Sequence, residues 1–258
     1  MKLTVYFQGS LVDENILKGK TVVVVDVLRA STTICAALKN GAKEIIPVVT
    51  LETATKIASN LFDGQFLLGG ERQGKIIDGF DLGNSPTEYS PEKVDTKSIV
   101  FSTTNGTAAI HRARYAERVL IGGFVNLDLL VQNLTSNLPG ELAIVCAGKE
   151  NVFCIEDALC AGAIIAKLTE QNPHIEIFLT DAGRTSKSIW EKLHTNLQHE
   201  IRYSDHGKYL SSIGLESDVE ICSSINLFPV LPYLKDGSTL RLWSDDQPKF
   251  KKVDLVQS

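Results

Sequence analysis

Short runs rich in valine and isoleucine alternate along the chain with segments of helical period. TVVVVDV (21–27) precedes ASTTICAALKNGA (30–42), in which Gly41 reads as a helix stop. EIIPVV, LETATKIASNLF (51–62) and FLLGG follow. After a long polar loop come SIVFSTT, GTAAIHRARYA, VLIGG, NLDLLVQNLTS and ELAIVCAG. A helix beginning near Ile155 carries Ile155, Leu159, Ala163 and Ala166 as one stripe, and HIEIFL with SKSIWEKLHTNL repeats the alternation. Strands apolar on both faces, separated by helices, predict a three-layer α/β/α fold with a mainly parallel sheet. The less regular tail beyond residue 200 is expected to add a helix and an edge strand or to form a small C-terminal subdomain. No repeat or flexible linker divides the chain, so residues 1–258 are read as a single domain.

In such a sheet, ligands bind outside the carboxyl ends of the strands. Five of those ends are polar: DVLRAST (26–32), GGERQGK (69–75), STTNGT (102–107), GGFVN (122–126) and AGKE (147–150). Asp26 closes a valine run, where a carboxylate is costly unless it binds metal, accepts hydrogen bonds or reacts. Its ordinary alternative is to cap the next helix or pair with Arg29. Ser31 and Thr32 at one helix start, and Thr103, Thr104, Asn105, Gly106 and Thr107 at another, make two turns suited to an oxyanion. Ser, Thr and Asn also favour such turns for capping alone. Arg72, Lys75 and Lys149 are candidate clamps on an anion. Glu156 and Asp157 open the helix after the last of these loops, where acids also simply complement the helix dipole.

Composition narrows the chemistry. The chain has 258 residues and a net charge of −5, with no basic run, which disfavours nucleic acid. No apolar stretch is long enough to cross a bilayer, and the opening MKLTVYFQGS does not resemble a signal peptide. Five cysteines without C-x-x-C spacing point to free thiols in a cytoplasmic protein. Position 28 is Leu, so the Asp-x-Asp pattern of aspartyl-phosphate enzymes is missing; the Walker and G-x-G-x-x-G patterns are missing too.

Taken in order, DVLRASTTI, GGERQGKIIDGFDLGNSP, STTNGT, AGKE and EDALCAGAI, followed by HGKYL, DVEIC and Pro229, resemble the 2-phosphosulfolactate phosphatase family over nearly the whole chain. The resemblance implies a Mg2+-dependent phosphoric monoester hydrolase that converts (2R)-phosphosulfolactate to (2R)-3-sulfolactate and phosphate, a step towards coenzyme M. Such a substrate is a small polyanion, so the rim is expected to be electropositive despite the acidic protein. Arg29, Arg72, Lys75, Lys149 and the turn amides would bind it, and Asp26, Glu156 and Asp157 are the candidate oxygen ligands for Mg2+. Asp26 would either bind the metal or act as nucleophile, with Arg29 beside it in catalysis. A phosphatase for another small anionic organic phosphate, a non-enzymatic binding protein for such a metabolite, and a homo-oligomeric state all stay open.

Overall fold

The computed structural model describes residues 1–60 and 64–244. The strands are β1 (Lys2–Tyr6), β2 (Thr21–Val25), β3 (Glu44–Pro47), β4 (Phe66–Arg72), β5 (Lys75–Ile76), β6 (Ser98–Ser102), β7 (Arg118–Gly122), β8 (Glu141–Cys146), β9 (Phe178–Leu179), β10 (Pro232–Lys235) and β11 (Thr239–Leu242). The helices are α1 (Glu14–Leu17), α2 (Ala30–Lys39), α3 (Leu51–Ala58), α4 (Pro91–Val94), α5 (Gly106–Ala113), α6 (Leu127–Ser136), α7 (Ile155–Gln171), α8 (Asp181–Leu193), α9 (Leu197–Arg202), α10 (Asp205–Ser212) and α11 (Glu216–Cys222). The expected helix at 51–62 ends at Ala58, and its last two expected residues lie outside the described residues.

All described strands join one sheet, in the order β5-β4-β6-β3-β11-β10-β7-β2-β8-β1-β9. The block β4-β6-β3 is parallel, and so is the block β7-β2-β8-β1-β9. Between the two lies the antiparallel hairpin β10-β11, which pairs with β7 on one side and β3 on the other. The tail therefore supplies the middle of the sheet and not an edge. Its short strands are only partly apolar and lie far in sequence from their partners, so local pattern carries no sign of that placement.

Strand β2 shows why the fold has three layers. Its side chains alternate between faces: Val23 and Val25 join the core built with α6 and α7, while Val22 and Val24 join the core built with α2 and α5. Burying a valine contributes roughly 1.5–3 kcal/mol, so this one strand ties both layers to the sheet. Helix α2 ends where expected. Asn40 is the last half-turn, and Gly41 then takes a φ of +97°, a left-handed conformation that glycine adopts without a Cβ penalty.

Candidate active site

The carboxyl ends of β2, β4, β6 and β8 converge on one cavity of about 240 Å³. Its wall includes Asp26, Arg29, Glu71, Thr103, Thr104, Asn105 and Lys149, together with Asn84, His206 and Tyr209. Four of the five polar strand ends thus meet. The fifth, GGFVN, serves the fold: Asn126 accepts from the Gly123 amide and donates to Ile121 and Val230 carbonyls, wholly buried.

Asp26 lies at the centre. Its carboxylate faces the first turn of α5, where a Cβ on Gly106 would stand 2.6 Å from Asp26 Oδ2 and 2.6 Å from the Ala30 methyl. Glycine at 106 is what lets the acid approach a helix N-terminus. Burial raises the Asp26 pKa to about 6; the Glu71 and Glu156 charges push it up as well, while His206 and the Ala30 amide pull it down. Asp157, in the first turn of α7, is raised well above the usual carboxylate range by burial and by the Asp26 and Glu156 charges. Both its oxygens are already engaged, since the Val27 amide donates to Oδ1 at 2.9 Å and the Gly148 amide to Oδ2 at 3.1 Å. Asp157 thus ties the loop after β2 to the loop after β8. Glu156, almost fully buried, has Oε1 3.1 Å from His206 Nδ1.

The two turns read as oxyanion sites differ. At the start of α5, Thr103 and Thr107 cap one another: the Thr107 amide donates to Thr103 Oγ1 and the Thr103 amide to Thr107 Oγ1. The Thr104 amide donates to Glu71 Oε1 and the Gly74 amide to Glu71 Oε2, so one carboxylate holds two loops together. Among the described hydrogen bonds none uses the amides of Asn105 or Gly106. At the start of α2 the polar groups are spent internally. Ser31 Oγ accepts from the Asp26 amide, Thr32 Oγ1 donates to the Val27 carbonyl and Thr33 Oγ1 to the Asn84 carbonyl, all buried.

The expected clamp residues scatter. Arg29 reaches the wall but is 3% exposed, with Nη1 2.8 Å from Asp218 Oδ2 and Nη2 donating to the Gly74 carbonyl. Asp218 also accepts from Ser85, at 2.6 Å. Arg72 turns away, donating to Ser102 Oγ at 2.9 Å and to nearby carbonyls, and Lys75 is exposed on β5; neither lines the cavity. Ser31, Thr32, Gly106 and Thr107 do not line it either, because all are buried behind its wall. Lys149 does, with Nζ 4.0 Å above the Tyr209 ring, whose hydroxyl donates to the Gln73 carbonyl. The expected electropositive rim is therefore corrected: the wall carries Asp26, Glu71 and Glu150 against Arg29 and Lys149, and Arg29 is neutralised by Asp218.

Sequence reasoning missed Glu71, Asn84, His206, Tyr209 and Asp218. Glu71 and Asn84 lie inside GGERQGKIIDGFDLGNSP, His206 and Tyr209 inside HGKYL and Asp218 inside DVEIC, segments quoted only for the resemblance or as a polar strand end. The last three come from α10 and α11, in the irregular tail, where no local pattern points to a site.

The 2-phosphosulpholactate phosphatase family model matches residues 6–237. Curated relatives agree along almost their full lengths. A probable 2-phosphosulfolactate phosphatase of Caldanaerobacter subterraneus subsp. tengcongensis is 38% identical over 237 residues, 92% of this chain and 97% of the relative. Similarly named proteins of Clostridium beijerinckii (35% over 237 residues; 92% and 98%) and Thermotoga petrophila (40% over 218 residues; 84% and 90%) match as well.

Proposed function

The chain belongs to the 2-phosphosulpholactate phosphatase family, and from that premise we propose that it is a phosphoric monoester hydrolase acting on (2R)-phosphosulfolactate, releasing (2R)-3-sulfolactate and phosphate in a step of the coenzyme M biosynthesis type. The observation that carries this reading is the placement of Asp26 opposite Thr103, Thr104 and Asn105 at the N-terminus of α5, on one cavity wall. A phosphoryl group seated there meets the positive end of a helix and the Asn105 amide, which has no acceptor among the described hydrogen bonds.

Mg2+ fits the residues present. A cavity with more carboxylates than free cations repels a substrate bearing phosphate, carboxylate and sulfonate unless a cation accompanies it. Burial raises the Asp26 pKa to about 6, and the neighbouring Glu71 and Glu156 charges add to that rise. Asp26 and Glu156 would hold the ion, one or two carboxylates being the usual protein share for Mg2+; Asp157 is already committed to two amides and supports the loops instead. Bound there, Mg2+ would supply charge stabilisation to the transferring phosphoryl group. The chain's own residues orient the ester: the α5 turn receives phosphoryl oxygens, Lys149 on the same cavity wall is a cation with no carboxylate partner among the described ion pairs, and Thr103 is locked by Thr107 so that the turn does not reorganise.

Arg72 and Lys75 lie off the cavity, an observation that favours a second reading, a phosphatase for a less highly charged organic phosphate. One assay separates the two. Phosphate release is measured with phosphosulfolactate, phospholactate and phosphoglycerate, each with Mg2+ and with EDTA. The first reading requires the highest kcat/KM on phosphosulfolactate and its loss in EDTA. Preference for phospholactate supports the second, and no release from any of them refutes both.

A further inference from the structure

Beside the cavity lies a second set of ligand atoms with a different chemical character. Cys154 Sγ, a Glu156 carboxylate oxygen and a His206 ring nitrogen all lie within 4.8 Å of one another. Glu156 and Cys154 are buried and His206 half-buried, its ring on the cavity wall. Cys154 is the residue immediately before α7, the N-cap position, where Ser, Thr, Asp and Asn are preferred for the bond they make to the helix. Its side chain makes no such bond and instead lies beside Glu156. A thiol is thus placed where a hydroxyl would serve the helix better, and it faces an acid and an imidazole.

We propose that Cys154, Glu156 and His206 form a three-ligand site for a borderline-soft divalent ion of the zinc class, with a fourth coordination position open to the cavity. Three protein ligands and one open position is the arrangement of reactive zinc sites. Sulfur and imidazole select such ions over Mg2+, which prefers oxygen alone. Ligand atoms around a tetrahedral zinc ion are about 3.3–3.8 Å apart, given bonds of roughly 2.0–2.3 Å. The atoms of the set, all within 4.8 Å of one another, lie close to that spacing. Binding releases the thiol proton to solvent, and the imidazole binds in its neutral form. Glu156 belongs to this set and to the proposed Mg2+ pair, so the two ions exclude one another. The inference itself stands without the phosphatase reading, because it concerns binding alone.

The test uses the full chain, stripped with a chelator and titrated with Co2+ in the absence of substrate. The expected result is one equivalent of Co2+ with a thiolate-to-cobalt charge-transfer band in the near ultraviolet, displaced by Zn2+. Cys154→Ser should abolish the band and weaken Zn2+ binding by more than about tenfold, a scale that even outer-shell ligand partners reach. Serine suits the N-cap, so the variant keeps its fold, checked by thermal unfolding. A wild-type Co2+ complex without the band, a band that persists in Cys154→Ser, or equal Zn2+ affinity in the two proteins would each overturn the proposal. Phosphatase assays play no part in the readout, so failure of the functional reading and failure of this site are separate results.

Discussion

The starts of α2 and α5 look alike in sequence: each follows a buried strand, each is rich in hydroxyls, and each contains a residue suited to an anion. In the folded protein they do opposite work. The α2 turn spends its Ser31, Thr32 and Thr33 hydroxyls on its own backbone and on the Asn84 carbonyl, and its Arg29 on Asp218. The α5 turn satisfies itself with one reciprocal pair, Thr103 and Thr107, and presents Thr104 and Asn105 to the cavity. The difference follows from position in the sheet. β2 is a central strand covered on both faces, and its turn is roofed by α11 through Asp218, so its polar groups must find partners inside. β6 lies in the flanking block, and its turn opens to solvent.

The comparison breaks most visibly if the one reactive group of the α2 turn is removed. Asp26→Asn should lower kcat by about two to four orders of magnitude, the scale of a lost positioned acid, base or metal ligand. The same change should leave the thermal midpoint of the metal-free protein unchanged or higher at pH 7.5, because a charged Asp26 is disfavoured by burial there. Phosphate release and thermal unfolding on one preparation check both halves. Near-normal turnover would move the chemistry away from this turn altogether.

Arg29→Met sharpens the comparison next. If the guanidinium is structural, its loss strands the Asp218 charge in the interior with only Ser85 beside it, at a cost of about 3–5 kcal/mol in stability. Arg29→Met/Asp218→Asn should recover a large part of that loss in chemical denaturation. A rise in KM with unchanged stability would instead make Arg29 a substrate clamp, and the two turns would no longer differ in kind.

The two turns also explain what was legible beforehand. Valine runs and helical stripes outlined the layers because burial of apolar surface is written locally, at period 2 or 3.6. The convergence of four loops followed from the rule that parallel strands present their carboxyl ends together. Partners were not legible. Whether Arg29 is free depends on Asp218, 189 residues away, and whether Ser31 faces a ligand depends on its Oγ already accepting from the Asp26 amide. The hairpin β10-β11 was misplaced for the same reason, since its neighbours β7 and β3 are far from it in sequence.

The acid in the α2 turn has a pH signature. Its folded pKa, about 6, lies above the ordinary 3.8, so the folded state holds a proton that the unfolded chain has released between those values. The stability associated with that proton is fully present below about pH 3.8 and is lost as pH rises through about 6. Asp157 shifts in the same direction. In metal-free protein these two groups should lower the thermal midpoint from pH 5 to 7, against the rise that deprotonation of carboxylates paired in the folded state would give. Adding Mg2+ at pH 7.5 should raise the midpoint saturably, and the Asp26→Asn variant should lose most of both responses. A midpoint indifferent to Mg2+ would remove the proposed carboxylate pair.

The smallest effects discriminate most finely between the turns, because they cross. Ser31→Ala removes the acceptor of the buried Asp26 amide, at 2.9 Å, and should cost about 1 kcal/mol of stability. A loss of that size shifts the midpoint of a chain this long by about 2–4 °C, and KM should hold. Thr104→Ala removes a hydroxyl from the cavity wall while its amide keeps Glu71 Oε1 at 2.8 Å. It should leave the midpoint unaltered and raise KM by about three- to tenfold, the equivalent of one neutral hydrogen bond of roughly 0.5–1.5 kcal/mol. If Ser31→Ala instead changed KM and Thr104→Ala changed only stability, the roles assigned to the two helix starts would be reversed. The phosphoryl group would then have to sit against α2, where its only neighbouring cation is already held by Asp218.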